Sequence, residues 1–179
     1  MAQILDIESL RATRTKAKAS VCCYCDAARM AREHFARQLQ DVYRSTARPR
    51  VLCLETLDDS IPVAAGGGWD LIYSASFFAA LPASAARQVL KHAVGRLCPG
   101  GRLLVANVRP EVKLARCPLC RKAGSNHRGE IEMIHLAKDL PLDTVTGQLI
   151  FRDRAGLNVY LELHKNASPA HEISLRKIS

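Results

Sequence analysis

The chain has 179 residues, a length for one domain with a sizeable core and no need of cross-links. Lys and Arg number 26 against 17 Asp and Glu, a formal net charge of +9, yet the basic residues are dispersed and aromatics make up only 5 %, so nucleic-acid binding is disfavoured. No apolar run approaches the roughly 20 residues that cross a bilayer and no signal-peptide pattern opens the chain, so a cytoplasmic protein without a membrane span is expected.

Gln3–Ile7 is an apolar run of strand length, followed by the Thr-, Lys- and Ala-rich segment Arg11–Ala19, which has little apolar face. Val21–Cys25 predicts a second strand ending at Asp26, a residue well placed to cap the helix after it. In that helix Ala27, Ala31, Phe35, Leu39 and Val42 share one face. Arg50–Leu54 predicts a third strand, with Asp58 and Asp59 just beyond, and Ala64–Gly68 a loop. Asp70–Ser74 and Arg102–Val108 are short apolar runs without strict alternation, as parallel strands covered on both faces should be. Between them Ala86, Val89, Leu90, Ala93, Val94 and Leu97 recur at helical spacing, and Gly100 and Gly101 supply the freedom to turn back into a strand. A polar, irregular stretch over 111–129 leads to a short helix, Glu130–Ala137. Gln148–Arg152 and Leu157–His164 then form an antiparallel pair joined by Asp153–Gly156. The predicted architecture is α/β: a doubly wound, mostly parallel Rossmann-like sheet with a C-terminal antiparallel hairpin, one domain over 1–167 with a loosely ordered tail over 168–179.

Trp69-Asp-Leu-Ile-Tyr-Ser-Ala75, Leu81-Pro82 and Leu97-Cys-Pro-Gly-Gly-Arg-Leu-Leu-Val-Ala-Asn107 together resemble the fourth and fifth strands of class I S-adenosylmethionine-dependent methyltransferases. The nearest resemblance is to the bacterial branch that includes enzymes of 3-hydroxypalmitic acid methyl ester synthesis. Ala155-Gly-Leu-Asn-Val-Tyr-Leu-Glu-Leu-His-Lys165 resembles the last strand of the same family, so the likeness runs from about residue 3 to 165, weakly before Trp69. It implies a methyltransferase-like fold, S-adenosylmethionine as cofactor and a small-molecule or lipid-like acceptor, a carboxylate among the candidates.

In an open parallel sheet, ligands bind beyond the carboxyl ends of the strands where the strand order reverses. The resemblance places Asp6, Glu8 and Ser9 at the turn after the first strand, although Glu8 and Leu10 stand where the family has glycines. A Cβ there hinders close backbone approach and penalises positive φ by about 1 kcal/mol or more. Asp26 is the candidate to hold the ribose, with Tyr24 as the alternative alignment and a plain helix cap as the other reading. Asp58 and Asp59 are candidates near the adenine, or a solvated turn; Ser74 and Ala75 leave room for cofactor, or for tight packing. Ser76 and Asn107 are candidate substrate contacts, Asn107 through its side-chain amide. No general base stands out, and transfer to an ionised carboxylate needs none. Missing glycines and the weak first helix favour a second reading, a degenerate or truncated methyltransferase-like domain that serves as an interaction module.

With no export signal, the seven cysteines read as free thiols or metal ligands rather than a disulfide framework. Cys117 and Cys120 have the spacing of a zinc or redox pair, flanked by Arg116, Arg121 and Lys122. Completion of such a site by His127 with His135 or Cys98 is conceivable, but one Cys-x-x-Cys is a weak signal and zinc is disfavoured. A small basic zinc- or nucleic-acid-binding protein is the third reading.

Overall fold

A computed structural model describes residues 23–46, 48–54, 61, 64, 67–111, 126–141 and 143–167. The elements are α1 (Cys23–Ser45), β1 (Val51–Cys53), β2 (Trp69–Ser74), α2 (Phe77–Ala80), α3 (Ala83–Arg96), β3 (Leu97–Val108), α4 (Glu130–Leu136), β4 (Val145–Arg152) and β5 (Asn158–Lys165). One five-stranded sheet has the order β1-β2-β3-β5-β4. β1, β2 and β3 are parallel neighbours, while β5 runs antiparallel to both β3 and β4. This is the α/β sheet with a C-terminal antiparallel hairpin that the sequence leads one to expect.

Two features matter for the site. The predicted third and fourth strands are paired directly, Val51 with Leu71 and Cys53 with Tyr73, while Gln3–Ile7 lies outside the described residues. The predicted second strand is corrected: Cys23, Tyr24, Cys25 and Asp26 are helical, the first turn of α1. A five-residue apolar run cannot be told from buried helix by periodicity alone. Here the helix that places Ala31, Phe35, Leu39 and Val42 in the core begins at Cys23, because adding a turn to an existing helix is cheaper than nucleating one. The Asp26 backbone therefore stands in a helix, not at the carboxyl end of a strand.

The start of β3 differs as well. The predicted Pro-Gly-Gly turn lies inside the strand, where Trp69 pairs with Leu97 and Leu71 with Arg102, so Cys98–Gly101 oppose Asp70 alone. Glycine is required there: Gly100 has φ +76°, and a Cβ on Gly101 would meet the Trp69 carbonyl oxygen at 2.7 Å. Asp70 ties the amino ends of the three parallel strands, accepting from Arg50 N at 2.7 Å, Arg50 Nε at 3.3 Å and Cys98 Sγ at 3.2 Å. Burial works against its charge, but these hydrogen bonds outweigh it and hold the Asp70 carboxyl below its ordinary value.

The sheet buries both faces. Ile72, Leu103, Val105, Val159, Leu161 and Leu163 face α2, α3 and α4, joining Phe78, Leu90, Val94 and Met133 in the larger core. Leu71, Tyr73, Leu104, Ala106 and Tyr160 face α1 and its Ala31, Phe35, Leu39 and Val42. α2, not expected from the sequence, is a single turn closed by Leu81 and stopped by Pro82, which has φ −62° and ψ 157° ahead of α3.

Candidate ligand site at the carboxyl ends of the parallel strands

Alternation along the strands sets which side chains meet. On β2, Ser74 shares the face of Ile72; on β3, Asn107 shares the face of Leu103 and Val105. Ser74 pairs with Val105, so Asn107 lies one side-chain repeat further along the adjacent strand on the same face. Both are buried, Ser74 at 0 % and Asn107 at 1 % exposure. Each leaves an acceptor open: Ser74 Oγ and Asn107 Oδ1 have no hydrogen-bond partner among the described residues. A buried polar atom left unpaired costs about 1–3 kcal/mol, and two on neighbouring strand ends are the mark of a surface built to meet something else.

The chain fixes their orientation. Asn107 Nδ2 donates to the Asn126 carbonyl at 3.2 Å, which leaves Oδ1 as the free acceptor. Ser74 leads through half-buried Ala75 and exposed Ser76 into α2; Ser76 occupies the N-cap position, with its side chain making no capping bond. Asn126 N in turn donates to the Ala79 carbonyl at 2.6 Å, and Arg128 N to that of Val108 at 3.2 Å. Residues 126–128 thus run across the ends of β3 and α2. Arg128 is buried, with Nη1 donating to the Phe78 carbonyl at 2.5 Å and Nη2 donating to the Leu81 carbonyl. Burial lowers its pKa, offset in part by Glu132. Asn126 and Arg128 fall within the stretch that the sequence marks only as irregular. The available signal was Asn-His-Arg-Gly directly before a helix whose N-cap, Gly129, donates its N–H to Glu132 Oε2 at 2.6 Å.

Of the residues the sequence singled out, Ser74, Ala75, Ser76 and Asn107 come together at this edge. Asp26 stands in the first turn of α1 rather than at the end of a strand. Asp6, Glu8, Ser9, Asp58, Asp59, Cys117 and Cys120 lie outside the described residues. Among the described residues no carboxylate stands at the carboxyl end of β1 or β2, and no group of three or more His, Cys, Asp and Glu side chains could hold a metal ion. Cys98, one conceivable zinc ligand, instead gives its thiol hydrogen to Asp70 at the opposite end of the strands. No described helix is long and apolar enough to cross a membrane.

The atoms present suit part of S-adenosylmethionine. Its ammonium and ribose hydroxyls are donors, and Ser74 Oγ and Asn107 Oδ1 are acceptors in want of donors. The ribose-holding carboxylate that the resemblance calls for has no counterpart among the described residues.

No family model matches the sequence, and no curated protein matches it. Solved structures do. The S-adenosylmethionine-dependent methyltransferase SibL is 16 % identical, with 60 % of this chain matched to 33 % of that one at a TM-score of 0.46. An O-methyltransferase family protein from Burkholderia thailandensis is 18 % identical over 58 % of this chain and 32 % of its own, TM-score 0.41. The magnesium protoporphyrin IX methyltransferase from Synechocystis, solved with SAH, is 14 % identical over 57 % and 47 %, TM-score 0.39. The chain thus spans less than half the length of each of these three structures. The fold class itself rests on the strand order: three parallel strands, an antiparallel pair beside them and helices on both faces.

Proposed function

We propose that this chain is a methyltransferase-type domain that binds S-adenosylmethionine at the carboxyl ends of β1, β2 and β3 and transfers its methyl group to a small or lipid-like acceptor, a carboxylate being the best candidate. The observation that carries the reading is the pair of buried, unsatisfied acceptors, Ser74 Oγ and Asn107 Oδ1, on one face of adjacent strand ends. The side chains at this edge bind and orient: Ser74 and Asn107 accept hydrogen bonds from the cofactor or acceptor, and exposed Ser76 stands at the mouth. An ionised carboxylate acceptor brings its own nucleophile, so alignment and desolvation supply the catalysis and no base is called for.

A second reading, a methyltransferase-like fold kept as an interaction module, draws its support from Asp26. The acid that the resemblance assigns to the ribose stands in the first turn of α1 rather than at the end of a strand. Calorimetry with S-adenosylmethionine and S-adenosylhomocysteine decides between the two. The enzyme reading expects binding in the micromolar range that weakens by about tenfold in Asn107→Leu, which deletes an acceptor at constant bulk. No heat at millimolar cofactor overturns it and leaves the module.

A further inference from the structure

We infer that Arg128 is a positioning residue of this site: by clamping α2 and Asn126 together it holds the Ser74 turn and the Asn107 amide in the arrangement that receives a ligand. The inference rests on the site proposed above but makes a structural claim that can fail separately.

Arg128 is only 5 % exposed, and among the described residues no carboxylate hydrogen-bonds its guanidinium. A buried cation of that kind is costly, and Glu132 offsets that cost only in part. Among the described residues its hydrogen bonds go to main-chain carbonyls: Phe78, Leu81 and, at 3.5 Å, Asn126. Phe78 and Leu81 bracket the end of α2, where the Phe78 carbonyl also accepts from Leu81 N at 3.2 Å. The Ala79 carbonyl between them is taken by Asn126 N, so residues 126 and 128 serve three carbonyls at one helix end. The same Asn126 carbonyl is the acceptor that orients Asn107. A planar guanidinium reaches two diverging carbonyls at once, whereas a lysine ammonium is a point donor on a flexible stem. The chain shows that simpler solution elsewhere: Lys165 Nζ donates to the carbonyls of Gly95 and Leu97, at the end of α3 and the far end of β3 from Asn107.

Lys165 therefore provides the control. Arg128→Lys and Lys165→Met each weaken the satisfaction of a helix end, and their thermal midpoints report the loss of stability. Two further readouts are the side-chain amide resonance of Asn107 and the affinity for S-adenosylmethionine by calorimetry. Arg128→Lys is expected to shift the Asn107 amide and to weaken cofactor binding by about tenfold, while Lys165→Met, with a similar loss of midpoint, leaves both as in the parent chain. An unmoved Asn107 amide in folded Arg128→Lys, or an equal shift in Lys165→Met, overturns the inference. If the parent chain binds no cofactor, the methyltransferase reading fails, and the Asn107 resonance alone then decides whether Arg128 positions the strand end. Should Arg128→Lys not fold, Arg128→Gln, a neutral donor, is read in the same two ways.

Discussion

At the scale of single residues, the α1 face carries a half-buried titratable group, His34, whose Nε2 has no hydrogen-bond partner among the described residues. Its ring lies 4.6 Å from Tyr160 and 5.2 Å from Phe151, themselves stacked at 5.1 Å. Burial lowers the His34 pKa from 6.5, Arg37 on the same helix adds to the fall, and Glu162 and Asp153 from the sheet side oppose it. The folded chain therefore prefers the neutral imidazole, and the unfolded chain takes up a proton first. His34 costs no stability above the ordinary value of 6.5, and stability falls as the pH drops below it towards the folded pKa. Urea midpoints at pH 7.5 and pH 5 measure this, and the difference between them should shrink in His34→Leu. A variant with an undiminished difference shows that the acid sensitivity lies elsewhere, His127 being the other histidine whose pKa burial lowers.

At the scale of elements, α1 shows where the sequence was legible and where it was not. Its apolar stripe was readable because Ala31, Phe35, Leu39 and Val42 repeat at helical spacing, and all four are buried. Its beginning was not, since Val21–Cys25 is apolar on every side and neither period nor cap separates strand from helix there. The error carried a functional consequence, because it lent Asp26 a strand end that it does not have. Phe35 anchors the helix: it is 2 % exposed, with its ring 4.9 Å from Tyr73 and 6.2 Å from Tyr160. Phe35→Ala should destabilise the chain by about 3–5 kcal/mol, the range for an aromatic deleted from a packed core. Chemical denaturation followed by circular dichroism measures the loss; a value under about 1 kcal/mol would mean that α1 adds little to the fold.

At the scale of the whole molecule, the parallel strands, α3 and the hairpin were legible because each carries its own local pattern. Strand order and polar closure were not, since they depend on partners far apart in the chain: Val51 beside Leu71, Asn107 on Asn126, Arg128 on Phe78 and Leu81. Of the site, Ser74 and Asn107 could be named from the sequence, but their want of partners is visible only in three dimensions. The same architecture predicts how the molecule opens. β3 is paired along both edges, with β2 and with β5, whereas β1 contributes three residues and β4 is an edge. Amides of β3 and β5 should be the last to exchange with solvent, and those of β1 among the first. The two cores lie on opposite faces of the strands, with Leu103 on one face and Leu104 on the other. If they unfold as one unit, Phe35→Ala on the α1 face must speed exchange at Leu103 and Leu161 as much as at Leu104 and Tyr160, by about 100-fold for a loss of about 3 kcal/mol. Acceleration confined to the α1 face would instead show that this helix opens by itself, with the strand ends bearing Ser74 and Asn107 still in place.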